Sequence, residues 1–285
     1  MPRLAYVTST PLADDPDFDI PHAVPALEAA GWQVELARWD DPAVDWASYD
    51  VVVVRSPWDY ADRRDAFLAW ARLADAASVL LNPYPVLEAN THKGYLRDLQ
   101  EAGVPVVPTR WYAPGDAPTV ADLHGRVVVK PAVSAGARDT ILTADRAEAE
   151  GHLAALLEAG RDAMVQPYLD AVDAEGEVSA VILGGVASHA VRKVPALTEG
   201  GHGDASRDHP LTDDLIAAAE AVLDAAEPGW RGLVYARVDL VRVDGVWTLM
   251  ELELTEPTLF LDRDPEAPAR LARAVGRAYA EAVRT

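Results

Sequence analysis

Hydrophobic and polar positions divide the chain into three stretches with different periods. The first ninety or so residues alternate short apolar runs with longer amphipathic ones. "RLAYVTS", "WQVELARW", "YDVVVVRSP" and "SVLLNP" read as strands, with "HAVPALEAAG" and "DRRDAFLAWARLADAA" as helices between them. Strands that alternate with helices predict a small parallel α/β unit, and the nearly unbroken apolar run of "YDVVVVRSP" suits a central strand covered on both faces. In such sheets ligands sit beyond the carboxyl ends of the strands, which directs attention to "TSTPLADD" and "RSPWDYAD".

Prolines in "NPYPVLEANTHKGYL" mark a boundary. After it, "THKGYLRDLQEAG" predicts a helix, "VPVVPTRWY", "RVVVKP" and "DTILTA" strands, "RAEAEGHLAALLEAG" a helix and "AMVQPYL" a strand. The remainder predicts two antiparallel hairpins, one turning at Gly184-Gly185 and one near Asp244-Gly245, a Gly-rich loop "TEGGHGDASRD" between them, and a C-terminal amphipathic helix. The fold class expected is α/β and α+β. The expected domains are 1–89 (parallel α/β, substrate side), 90–165 (a small α+β unit) and 166–285 (a larger one). A chain of 285 residues sits at the size where one core stops growing, so two or three units around a shared cleft are expected.

Composition narrows the ligand classes. A formal charge of −21 repels nucleic acid and anionic lipid, and the sequence contains no basic patch to offset it. Any anionic ligand must therefore be drawn in by a few local cations. The absence of cysteine excludes disulfides, thiolate metal sites and a Cys nucleophile. With no signal-peptide core at the N-terminus and no long apolar span, the expected location is cytoplasmic, with no membrane or nucleic-acid partner; a homodimer stays open as the assembly.

Only three of the 25 basic residues are lysine: Lys93, Lys130 and Lys193. Arginine does not replace a compact ammonium used as a point charge, so these positions are candidates for chemistry. Lys130 ends the run "VVV" and leads through a proline into the smallest side chains, Ser134, Ala135, Gly136 and Ala137. A strand lysine before such a loop suits polyphosphate, because small residues let backbone N–H groups approach; equally, the lysine snorkels beside an ordinary turn. No Walker GxxxxGK[ST] motif is present.

Strand alternation places Glu251 and Glu253 of "MELEL" on one face and groups Arg237 with Asp239 in "YARVDL". Carboxylates facing one another repel unless a cation intervenes, which points to Mg²⁺ with its hard oxygen ligands; the alternative is a solvated hairpin face in an acidic protein. Register decides whether they do face. A strict two-residue turn at Asp244-Gly245 sends Asp239 to the face opposite Glu251, whereas a longer loop or one bulge unites them. The expectation is the second arrangement.

Weaker signals complete the set. Pro167 in "VQPYL" ends regular pairing and frees backbone groups for a purine edge, with Tyr168 and Leu169 as apolar surface. Glu177 either caps a turn or accepts a ribose hydroxyl. Arg192 and Lys193 are adjacent on a strand and point to opposite faces. His92, His189, His202 and His209 lie near these segments without metal-ligand spacing and read as structural or exposed.

"NTHKGYL…LQEAGVPVVPT", "VVVKP" with "SAGARD", "VQPYL" with "GEVS", "ARVDL" and "MELEL", in that order, resemble the ATP-grasp fold, in which two α+β subdomains clasp ATP after an N-terminal α/β domain. "RSPWDY" with "ELELTEPTLFLD" most resembles the subgroup of O-ureido-serine cyclo-ligases. The resemblance implies nucleotide contacts at Lys93, Lys130, Ser134 to Ala137, Gln166, Pro167, Tyr168 and Leu169, with Glu177 at the ribose. It implies phosphate or acyl-phosphate contacts at Arg192, Lys193 and Arg237, and Mg²⁺ ligands at Asp239, Glu251 and Glu253. Glu253 stands where the family commonly has asparagine.

The implied activity is an ATP- and Mg²⁺-dependent carbon–nitrogen ligase that converts a small amino-acid-like carboxylate into an acyl phosphate for attack by nitrogen. Ser9, Thr10, Arg55, Ser56, Trp58 and Asp59 are the expected substrate residues, Arg55 as the carboxylate anchor; "SPWDY" is otherwise a turn that packs. "TEGGHGDASRD" is the expected lid. The alternatives are a nucleotide-binding protein without turnover, and a phosphotransferase, which the absence of HRD and DFG segments disfavours.

Overall fold

The computed structural model describes residues 1–10, 16–120, 125–193, 206–227 and 229–284, arranged around three sheets. The first contains β1 (Arg3–Thr8), β2 (Gln33–Arg38), β3 (Val51–Ser56) and β4 (Val79–Leu81), all parallel in the order β2-β1-β3-β4. Helices α1 (Ile20–Ala29) and α2 (Arg64–Ala77) make the crossovers. Every residue of β3 is buried, as its unbroken apolar run requires of a covered central strand.

Two short helices follow, α3 (Tyr84–Asn90) and α4 (Tyr95–Glu101). The helix expected from Thr91 starts four residues later, because the intervening backbone is spent elsewhere: Lys93 N–H donates to the Ala132 carbonyl at 2.8 Å and Gly94 N–H to His92 Nδ1 at 3.0 Å. Lys93 thus sits in a tight turn. The second sheet is antiparallel, order β5-β8-β6-β7, from β5 (Arg110–Tyr112), β6 (Val127–Pro131), β7 (Ile141–Thr143) and β8 (Ala163–Pro167), with α5 (Arg146–Glu158) packed on it. The single strand expected over "VPVVPTRWY" is divided, since Pro105 and Pro108 have no N–H to give a ladder. Val107 N–H donates to Leu249 O at 3.0 Å and Leu249 N–H to Pro105 O at 2.7 Å, so the first half borders the third sheet instead.

The third sheet follows α6 (Asp170–Ala174). It contains β9 (Glu177–Leu183), β10 (Val186–Lys193), β11 (Arg207–His209), β12 (Tyr235–Val243) and β13 (Val246–Glu253), antiparallel in the order β11-β10-β9-β12-β13. One face buries Val178, Ala180, Val238, Leu240 and Leu252 against Leu96 and Leu99 of α4 and against Leu215, Ala219 and Leu223 of α7 (Asp213–Ala226). One end of the other face packs Val181, Leu183 and Tyr235 into a core shared with Tyr6, Val51 and Val53 of the first sheet, Leu27 of α1, and Leu271 and Val275 of α8 (Ala267–Ala282). The C-terminal helix therefore closes the core begun by the N-terminal strands. Among the described residues no helix is long and apolar enough to cross a membrane.

Both hairpins turn where the sequence indicates. Gly184 and Gly185 have φ of 58° and 76°, and a Cβ on Gly185 would lie 2.5 Å from the Arg231 carbonyl oxygen. Asp244 and Gly245, at 49° and 83°, form a two-residue turn. Its register nevertheless shifts between Asp239 and Leu240: Leu240 pairs with Leu249 but Asp239 with Glu251, leaving Met250 as the extra residue of a bulge. Asp239 and Glu251 consequently share a face, as expected, and a bulge rather than a longer loop achieves it.

Candidate functional site

The bulge sets the face that carries charge. Asp239 and Arg237 on β12, Glu251 and Glu253 on β13, Ser179 and Glu177 on β9 and Lys193 on β10 are cross-strand neighbours, with Ser179 opposite Asp239 and Glu177 opposite Lys193. Lys193 Nζ contacts Glu177 and lies 2.8 Å from Asp239 Oδ2. Arg237 donates from Nε to Asp239 Oδ1 at 3.0 Å and from Nη2 to Oδ2 at 2.9 Å, contacts Glu253, and holds the Thr258 carbonyl at 3.1 Å. Ser179 Oγ donates to Asp239 Oδ1 at 2.7 Å. Two further cations approach from outside the sheet. Lys93 Nζ reaches Glu251 Oε1 at 2.8 Å and the carbonyl of Ser134 at 3.0 Å. Lys130, at the end of β6, is partly buried; among the described residues its ammonium has no hydrogen bond and no carboxylate within 4.0 Å.

Burial and charge set the protonation of these groups. Desolvation pushes the Lys130 ammonium down; Glu251 and Glu177 draw it up against repulsion from Lys93 and Lys193, without overcoming the burial. Burial also acts to raise Asp239 and Glu251. The guanidinium of Arg237 with Lys193 overrides it and holds Asp239 well below the usual carboxylate range, and Lys93 with Lys130 hold Glu251 at about 2. At Glu253 burial, helped by repulsion from Asp239, Glu251 and Glu256, prevails over the contact with Arg237 and raises it to about 8. Burial likewise raises Glu256 to about 7. The site thus holds more carboxylate than its own cations neutralise.

That surplus of hard oxygen donors fits a divalent cation. Among the described residues no three side chains converge on one point as a ready metal cage. Mg²⁺ takes one or two protein carboxylates and completes its shell with phosphate and water, so a full protein cage is not required of a site for it.

Opposite the charged face lies the loop Ser134 to Ala137. Ser134 and Ala135 are buried and Gly136 and Ala137 are exposed, with φ of 65° and 56°. Positive φ at a non-glycine residue is strained, and here it turns two successive peptides. The loop is tied to the first unit by Arg138, which donates to the Trp58 carbonyl at 3.1 Å and lies 3.6 Å from Asp62. Gln166 is buried and donates to Thr109 Oγ1 at 2.9 Å; Pro167 ends β8; the Tyr168 N–H is committed to the Arg126 carbonyl at 2.8 Å; Leu169 precedes α6. This hinge carries the chain from the second sheet to Glu177 at the start of the third.

Other sequence candidates are placed differently. Arg192 points away from Lys193, to the Ala174 carbonyl at 3.1 Å beside Gly176, outside the charged cluster. Arg55 is 1% exposed, so its guanidinium does not open on the cleft. Nη2 donates to the Pro257 carbonyl at 2.6 Å and lies 3.4 Å from Asp19 Oδ2, and the group stacks 4.4 Å over Tyr235. Ser9 donates to the Ser56 carbonyl, Ser56 Oγ to Thr8, and Thr10 accepts from Arg38, so all three brace strand ends. Trp58 Nε1 donates to the Glu256 carbonyl at 3.0 Å, while Asp59 faces Trp39 and Arg63 within the first unit. The expected lid falls largely in 194–205, outside the described residues, as does His202.

Four participants escape sequence reading: Glu256, Ser179, Tyr60 and Asn90. Extending strand alternation past Glu253 sends Glu256 to the wrong face, but β13 ends at Glu253 and the rule ends with it. Asn90 clamps the free edge of β13 from outside, donating to Leu252 O at 2.9 Å and accepting from Leu254 N–H at 2.7 Å.

Comparison with known proteins adds a consistent picture. A family model described as "D-cycloserine synthetase DcsG, N-terminal domain" matches residues 4–82. The cycloserine biosynthesis protein DcsG of Streptomyces lavendulae is 35% identical over 279 residues, covering 91% of this chain and 93% of that protein. The crystal structure of D-cycloserine synthetase DcsG superposes with a TM-score of 0.88 at 33% identity, covering 97% of this chain and 99% of that one. A D-alanine–D-alanine ligase from Bacillus anthracis complexed with ATP has a TM-score of 0.72 at 14% identity, covering 99% and 98%, and is similar in fold.

Proposed function

The chain belongs to the DcsG family of ATP-grasp ligases and is an ATP-dependent ligase, and from that premise we propose that it closes an amino-acid-like substrate into a ring through an acyl phosphate. The observation that carries this reading is the convergence of Lys93, Lys130, Lys193 and Arg237 on one sheet face with Asp239, Glu251 and Glu253. The nucleotide lies between the second and third sheets. The adenine meets the hinge Gln166 to Leu169, the ribose meets Glu177, and the triphosphate runs under the Ser134 to Ala137 loop toward Lys93 and Lys130.

Asp239, Glu251 and Glu253 would hold Mg²⁺, which when bound would neutralise phosphate charge. A substrate carboxylate oxygen attacks the γ-phosphorus and the bond to ADP breaks. The nitrogen of the same molecule then attacks the activated carbonyl carbon; phosphate leaves, and the nitrogen gives up its proton. Lys130 and Lys93 stabilise charge building on the transferring phosphoryl group, and Arg237 stabilises the oxyanion at the carbonyl. Fixed cations in a partly dry cleft do this without reorganising during the reaction, and no covalent nucleophile is needed.

The test is incubation with ATP, Mg²⁺ and a panel of amino-acid carboxylates that includes both enantiomers of O-ureido-serine. Substrate-dependent ADP accompanied by a new C–N bond supports the reading. Binding without ADP, or a stable phosphorylated product, overturns it.

A further inference from the structure

We propose that Glu256 selects substrates carrying a protonated amine beside the carboxylate to be activated, by accepting that ammonium as its counter-ion. This rests on the ligase reading above and names a requirement that reading leaves open. The backbone around Glu256 is fixed at three successive carbonyls. Its own accepts from Trp58 Nε1 at 3.0 Å, that of Pro257 from Arg55 Nη2 at 2.6 Å, and that of Thr258 from Arg237 Nη1 at 3.1 Å. The residue is 8% exposed, and its carboxylate faces the Tyr60 hydroxyl. Such preorganisation from both the first unit and the charged sheet aims the group before any ligand arrives.

Among the described residues, its carboxyl group is the one without a cation partner in the cluster. Glu177 and Asp239 are paired with Lys193, Asp239 and Glu253 with Arg237, and Glu251 with Lys93. Among the described residues Glu256 has no cation within 4.0 Å, although Lys93 and Arg237 are its electrostatic neighbours. A buried carboxylate without a partner calls for a cation from outside. Glu256 lies on the seam toward Tyr60 and Trp58, off the strands that carry the metal candidates, and one carboxylate backed by a phenol offers an ammonium two acceptors. An amino-acid carboxylate activated near Arg237 carries its amine one carbon away, and Arg237 is an electrostatic neighbour of this group.

The experiment compares wild type, Glu256→Gln and Glu256→Asp on O-ureido-serine and on its amine-free analogue 3-(ureidooxy)propanoate, following ADP release. Loss of a charged hydrogen-bond acceptor predicts that Glu256→Gln lowers kcat/KM on the amino acid by about 10- to 100-fold, mainly through KM, and changes the analogue by less than about threefold. Glu256→Asp retains part of the preference. ATP affinity by calorimetry verifies that each variant is folded. Equal losses on both probes overturn the assignment, as does a Mg²⁺ dependence shifted on both, which makes Glu256 a metal ligand. Wild type that releases no ADP with any amino-acid carboxylate overturns the ligase reading itself.

Discussion

Lys130 is held in a position that costs stability. Its ammonium is partly buried, repelled by two other lysines and without a partner among the described residues, the arrangement that fits an anion arriving later. Lys130→Met removes that cost. The unliganded variant is expected to melt at the wild-type temperature or a few degrees higher, while kcat/KM for ATP falls by roughly 10³-fold. Calorimetric melting and an ADP-release assay read the two effects separately. His189 offers a second residue-scale prediction. Burial lowers its pKa from 6.5, and it sits 2.9 Å from the Leu259 carbonyl, to which Nε2 donates. As pH falls below 6.5 the unfolded chain takes up a proton that the folded one refuses, so acidification lowers stability across that window. Urea denaturation at several pH values should show a shallower slope for His189→Gln.

Elements are positioned here by a few side chains that serve as backbone. Asn82, 1% exposed, donates to Tyr235 O at 3.0 Å and Leu254 O at 2.8 Å and accepts from Val234 N–H at 2.9 Å. It thereby fastens the end of the first sheet to the start of β12 and the exit of β13. Asn82→Ala leaves three buried backbone groups unpaired and should cost about 2–4 kcal/mol in urea denaturation. At this scale the sequence was informative wherever a local rule operates. Two glycine turns located both hairpins, and the need to bring Asp239 and Glu251 together anticipated an irregular register. Rules that depend on the partner were not legible. Nothing in "LLNPY" indicates which carbonyls Asn82 will meet, and nothing in "RSPWDY" indicates that Arg55 will face the Pro257 carbonyl rather than the cleft. Those contacts join residues 152 to 202 positions apart, and periodicity carries no information over such distances.

Across the whole molecule, an acidic protein gathers its three lysines and Arg237 at the site proposed for an anionic nucleotide. At −21 overall, the far field repels ATP, and capture depends on charges that act within about a Debye length, near 8 Å at physiological salt. Two sheets and a turn supply them: β10 and β12 of the third sheet bring Lys193 and Arg237, β6 of the second brings Lys130, and the turn before α4 brings Lys93. The third sheet also explains why the N-terminal and C-terminal segments share one core, since Val181 and Tyr235 lie between the first sheet and α8. The cleft and the fold's main seam are thus two ends of the same surface.

All three lysines belong to that cleft, which leaves the exterior almost devoid of primary amines apart from the chain's own α-amino group. An acylating probe should therefore decorate the N-terminus quickly and the lysines slowly, and prior loading with nucleotide should shield the latter. Peptide mass spectrometry of the acylated protein then reports how full the cleft is, without any assay of turnover.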